Sequence, residues 1–116
     1  MAILLIGTLD TKGPEIAYVR DRFRALGGAA IVLDSGILGE PVDIVPDITR
    51  SDVALAAGST IDALRNAGTR GAAVEKMKEG VKQVTLDLFA QGKLQGVLCL
   101  GGAEGAVLGE IGRAHV

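Results

Sequence analysis

At 116 residues, 48% of them apolar, the chain has room for one domain with its own core and too little for two. Only 3% of residues are aromatic and there is no Trp, so the core must be aliphatic, which suits parallel strands covered by helices. A net charge of −2, with acids and bases interspersed and no basic patch, argues against a nucleic-acid partner, and 17 glycines without a period exclude collagen-like and repeat architectures.

The apolar run Ala2 to Ile6, closed by Gly7, predicts a strand buried on both faces. It carries no basic leader and is too short for a signal peptide or a membrane span, so a cytoplasmic protein with no membrane association is expected. Gly7 to Gly13 reads as a loop, and Pro14 as the residue that opens the first helix, where its missing N–H is not needed. Ile16, Val19, Phe23 and Leu26 recur at helical spacing, with Arg20, Arg22 and Arg24 on the other sides, and Gly27-Gly28 ends the helix. Ala29 to Leu33 predicts a second buried strand that terminates at Asp34. Strand, helix and strand within the first 34 residues have the size of a βαβ unit.

Asp34 to Thr49 is a long connection, of a length that compact domains keep for functional or mobile loops. Thr49-Arg50-Ser51-Asp52 has the form of a capping box opening a short helix through Ala57. Gly58 breaks that helix, and Ser59 or Thr60 caps a further turn through Asn66. Thr69 starts the longest helix, with Val74, Met77, Val81, Val84 and Leu88 as its apolar stripe. Glu75, Lys76, Lys78, Glu79 and Lys82 form its solvated face. Gly92 ends this helix, and Val97 to Leu100 predicts a third buried strand. Cys99, the single cysteine, falls inside it as an unreactive core thiol, with no intrachain disulfide possible. Gly101 to Gly105 follows, with a helix starting near Ala106. Three strands joined by right-handed crossovers give an α/β fold: a three-layer, Rossmann-like, doubly wound parallel sheet, incomplete, in the strand order 2-1-3.

That order sets the ends of the first and third strands side by side, where such sheets bind ligands. Gly7, Thr8, Thr11, Lys12 and Gly13 offer close backbone approach, hydroxyls and one cation at a helix start, the requirements of a phosphate site. Asp10 among them either holds Mg²⁺ through a water, positions a hydroxyl, or makes a local turn with its own backbone. Gly101, Gly102, Ala103, Glu104 and Gly105 form the facing candidate loop. Glu104 is unfavourable beside a phosphate unless a metal or Lys12 intervenes, and otherwise stabilises the helix start by its charge. Asp34 either accepts from a ribose hydroxyl or caps the turn through Ser35 and Gly36. Arg70, at the head of the long helix, either offers its guanidinium to an anion or stays in solvent. No metal-ligand cluster and no Ser-His-Asp or Cys-His arrangement is visible, so no catalytic residue is assigned.

At these loops the sequence resembles a known family. Leu5 to Gly13, Leu38-Gly39-Glu40-Pro41, Pro46-Asp47-Ile48, Arg70-Gly71-Ala72-Ala73 with Met77, and Leu100-Gly101-Gly102 are similar to the plant tobamovirus-resistance protein and its bacterial homologues. The resemblance runs in order to about Gly109. It implies a Rossmann-like fold of two subdomains, ATP binding with or without Mg²⁺, and a homodimer, but no reaction. It also implies a longer N-terminal region, so residues 1–109 read as the first part of a nucleotide-binding domain. Residues 110–116 read as a non-native tail, the translation of a sequencing-library adapter, which would remove His115 from any site. Three functions are in contention: an ATP-binding module with phosphates between the two glycine loops, an enzyme for a small phosphorylated or carboxylated metabolite at the same strand ends, and a nucleotide-dependent dimerisation domain.

Overall fold

The computed structural model describes residues 2–100. Strands β1 (Ala2–Gly7), β2 (Ala30–Asp34) and β3 (Leu94–Leu100) form one parallel sheet in the order β2-β1-β3. Helices α1 (Leu9–Ala25), α2 (Arg50–Ala56), α3 (Ile61–Arg65) and α4 (Arg70–Ala90) make the crossovers. The fold is α/β, with an open sheet that fits an incomplete Rossmann-like architecture, as the strand and helix spacing predicts. Gly7 is level with Asp34 on one side and Leu100 on the other, so all three strands end along one rim.

Alternation along β1 divides the core. Leu4 and Ile6, with Leu33, pack under α2, α3 and α4 through Val53, Ala54, Leu64, Ala73, Met77 and Val81. Leu5 and Val32 point the other way, toward Leu9 and Ile16 of α1 and toward Ile44. The connection between β2 and α2 is tied down rather than loose. Val32 N–H donates to Asp47 Oδ2 at 2.8 Å, Asp34 N–H donates to the Ile48 carbonyl, and Asp47 and Ile48 N–H both donate to the Val32 carbonyl. Residues 46–48 therefore run along the outer side of β2, with a parallel bridge between Leu33 and Ile48.

Helix starts match the capping signals. Thr49 and Asp52 exchange side-chain-to-backbone hydrogen bonds in a full capping box, and Thr60 and Thr69 accept from Ala63 and Ala72 N–H. Gly27, Gly58 and Gly92 end or break helices at positive φ of 86°, 76° and 72°.

The helices correct three expectations. α1 begins at Leu9, not Pro14: Thr8 is an extended N-cap whose carbonyl receives Thr11 and Lys12 N–H, so most of the predicted loop is helix and Pro14 lies inside it. The apolar stripe of α1 holds only at its start. Ile16 is buried, Val19 and Phe23 are half-buried, and Leu26 is exposed. A 17-residue helix is about 25 Å long against about 20 Å for the six-residue β1, so its last turn overhangs the sheet. The buried row of α4 is Ala73, Met77, Gly80, Val81 and Thr85, while Val74, Val84 and Leu88 are only half-buried. Gly80 rotates the face: it lies so close to the Val53 carbonyl that no side chain fits, and α2 docks there.

β3 starts earlier than expected, at Leu94, and its Val97 to Leu100 run is half covered rather than buried. Cys99 is of intermediate exposure and Leu98 is 39% exposed. Among the described residues β3 pairs on one side only. No helix there is long and apolar enough to cross a membrane.

Candidate functional site

A cleft of about 540 Å³ opens at the rim where β1 and β2 end, within the range of small-molecule sites. The first turn of α1 supplies Thr8, Asp10, Thr11 and Lys12, and the segment after β2 supplies Ser35, Gly36, Ile37 and Leu38. The facing wall is α3 and α4, with Leu64, Arg65, Arg70, Ala73, Met77, Lys78 and Val81. Four cations and one carboxylate thus border an apolar floor. Arg65 is held in place by donating from Nε to the Ile37 carbonyl at 2.8 Å, and Lys78 pairs with Glu75 at 3.2 Å. The side chains of Lys12 and Arg70 have no hydrogen-bond partner among the described residues, and their charge is available to a ligand.

The residues expected at the site take different places. Thr8, Asp10, Thr11 and Lys12 come together on the cleft wall, with the Thr8 and Thr11 hydroxyls bonded to each other. Gly7 and Gly13 lie beneath it, and both are glycine for packing. A side chain at Gly7 would meet Ile16, and one at Gly13 would run into the carbonyl of Val42, a residue held there by donating its N–H to the Leu9 carbonyl. Gly101, Gly102, Ala103, Glu104 and Gly105 lie outside the described residues. Leu100, just before them, is level with Gly7.

Asp34 is 1% exposed and its oxygens are engaged from within the protein. Oδ1 accepts from Gly36 N–H at 2.8 Å and from Leu9 N–H at 3.3 Å, and Oδ2 accepts from Arg50 Nε at 2.9 Å. Of the two roles expected for it, the geometry shows the turn through Gly36. It adds a tie from the end of β2 to the start of α1, so one carboxylate sets the mouth of the cleft.

Sequence reasoning gave Arg50 no part beyond the capping box. It occupies the first position of α2, where a solvated side chain is the usual outcome, yet it is 7% exposed and points back under the cleft. Arg65 was not singled out either, Lys78 was read as part of a solvated face, and Gly36 and Gly39 were read as turn and motif residues without a place at the site. The signal for the two glycines was their spacing, three apart in a long loop, which a turn explains equally well.

With this geometry in hand, the comparisons with known proteins place the chain. Residues 1–112 match the N-terminal domain of the uncharacterised protein family UPF0261. The chain belongs to that family. It is 37% identical over 106 residues to a UPF0261 protein of Brucella suis, covering 91% of this chain and 25% of that one. To a UPF0261 protein of Clostridium tetani it is 36% identical over 103 residues, covering 89% and 25%. For a Mesorhizobium japonicum relative the figures are 32% over 105 residues, 89% and 25%. This UPF0261 chain therefore spans a quarter of the length of the curated relatives it matches. These relatives are bacterial and their names give the family alone. No solved structure matches.

Proposed function

We infer that this UPF0261 domain binds a nucleotide, ATP in the first instance, at the cleft on the strand rim. The phosphates sit at the first turn of α1, between the Gly7–Gly13 segment and the loop Gly101–Gly105, with Lys12 and Arg70 as the nearest cations. The observation that carries this reading is the two-part lining. The uncommitted Lys12 and Arg70 side chains, with the Thr8 and Thr11 hydroxyls beside them, border a floor of Ala73, Met77 and Val81, which suits a ligand with an anionic end and a flat apolar end. The choice of ATP among nucleotides rests on the resemblance read from the sequence at Leu5 to Gly13 and Arg70 to Ala73, while the family matched by comparison is UPF0261.

The test is thermal unfolding of the full-length protein with ATP, with and without Mg²⁺. Ligand at a hundred times its Kd stabilises a folded protein by about 2.7 kcal/mol, a shift of several degrees in Tm. Lys12→Ala and Arg70→Ala each lower affinity about tenfold, the effect of one charge-assisted contact. Millimolar ATP that leaves the Tm unchanged removes the nucleotide reading.

A further inference from the structure

Arg50 uses one of its five N–H donors in the described structure, the Nε–H given to Asp34. Nη1 and Nη2 are buried and have no hydrogen-bond partner. A guanidinium left that way carries an unrelieved desolvation penalty, which folded proteins avoid by supplying an acceptor or an ordered water.

Gly36 shows where the acceptor lies. A side chain on Gly36 would fall 2.8 Å from Arg50 Nη2, 3.0 Å from Asp34 Oδ1 and 3.2 Å from Asp10 Oδ1. Nη2 and the Asp10 carboxylate therefore converge on one small space, no farther apart than the sum of their distances to it, yet they make no direct ion pair. Asp10 is also enclosed from its other side: a side chain on Gly39 would fall 2.9 Å from Asp10 Cβ and 3.0 Å from Oδ2. Asp10 lines the cleft and its carboxylate has no hydrogen-bond partner among the described residues. A buried, unpartnered donor edge and the cleft-lining Asp10 carboxylate thus sit on either side of Gly36 with no side chain between them.

We propose that Arg50 is the positioning residue of the cleft: its unpartnered Nη edge, beside Asp10 across Gly36, holds Asp10 by charge as an anionic acceptor aimed at the ligand. This rests on the cleft being the ligand site, and it narrows the ligand class. A fixed carboxylate among cations favours a molecule that carries hydroxyl or N–H donors beside its anionic group, such as a phosphorylated sugar or nucleoside. It disfavours a bare polyphosphate.

The test is a double-substitution cycle in the full-length protein without ligand, using Asp10→Ala and Arg50→Lys. Lysine keeps a charge for Asp34 but loses the Nη edge. Each single change raises the unfolding constant about tenfold, and the double change raises it no further than the larger single. If Arg50 serves only Asp34, the two effects multiply to about a hundredfold, and the proposal is overturned. Should Arg50→Lys fail to fold, Arg50→Gln combined with Asp34→Asn replaces it, since the neutral pair keeps a hydrogen bond between the two positions. The cost of Asp10→Ala must then shrink in that background, and an unchanged cost overturns the proposal. In a ligand arm, ATP binds Arg50→Lys about tenfold more weakly than wild type, and tripolyphosphate binds both equally. Equal losses for the two ligands overturn the positioning role. Coupling without any ATP binding upholds the Arg50–Asp10 link and removes the nucleotide reading alone.

Discussion

The sheet face under α2, α3 and α4 and the rim where β1 and β2 end are held by different forces. The face is a volume-filling contact of Leu4, Ile6, Leu33, Val53, Met77 and Val81, whose attraction has no preferred direction. Its buried hydroxyl, on Thr85, is satisfied within its own helix by donating to the Val81 carbonyl at 2.7 Å. The rim is held by directed bonds to one carboxylate and by glycines at places where a methyl would strike a carbonyl or a charged group. A non-directional core tolerates substitutions that keep its volume, whereas the rim admits few changes at Asp34, Arg50 or Gly36. The less tolerant region is also the one that shapes the cleft.

Substitutions can break or sharpen that contrast, and the largest effect belongs to the rim. Asp34→Ala strands the buried Arg50 and frees the start of α1, with an expected loss of about 3–5 kcal/mol in denaturant unfolding. Met77→Ala on the face costs less, about 2 kcal/mol, because Met77 already borders the cleft on one side and loses fewer packing partners. A Met77→Ala loss larger than that of Asp34→Ala would reverse the contrast. Thr49→Ala, which opens the capping box of α2 on an exposed surface, costs about 1 kcal/mol. An effect there as large as at Asp34 would show that α2, rather than the carboxylate, secures the rim.

The face was the more legible region in the sequence. Short apolar runs separated by helical spacing give the parallel sheet with β1 in its centre, because a βαβ unit has one favoured hand. Thr49 with Asp52, Thr60, Thr69 and the helix-ending glycines act within a few residues of themselves, so their signals are local. The rim depends on contacts across long stretches of chain: Asp34 with Arg50, Gly13 with Val42, Gly36 and Gly39 with Asp10. No local pattern encodes these. Pro14 misleads for the same reason: an opening position is its common local use, while here Thr8 and the distant Asp34 carboxylate start the helix five residues earlier. Arg50 was hidden by a motif that was itself correct, since a capping box specifies the backbone at a helix start and not where the next side chain points. Thr8, Asp10, Thr11 and Lys12 could be read together as neighbours because they share one turn.

The stretch 46–48 beside β2 has a consequence for assembly. It occupies the backbone donors and acceptors that β2 would otherwise present outward, and Asp47 adds a side-chain bond to the same row. A foreign strand arriving on that flank finds no ladder to join. Among the described residues the opposite flank, β3, pairs with β1 alone, so the sheet has a direction: the side away from β2 is the one a further strand would join.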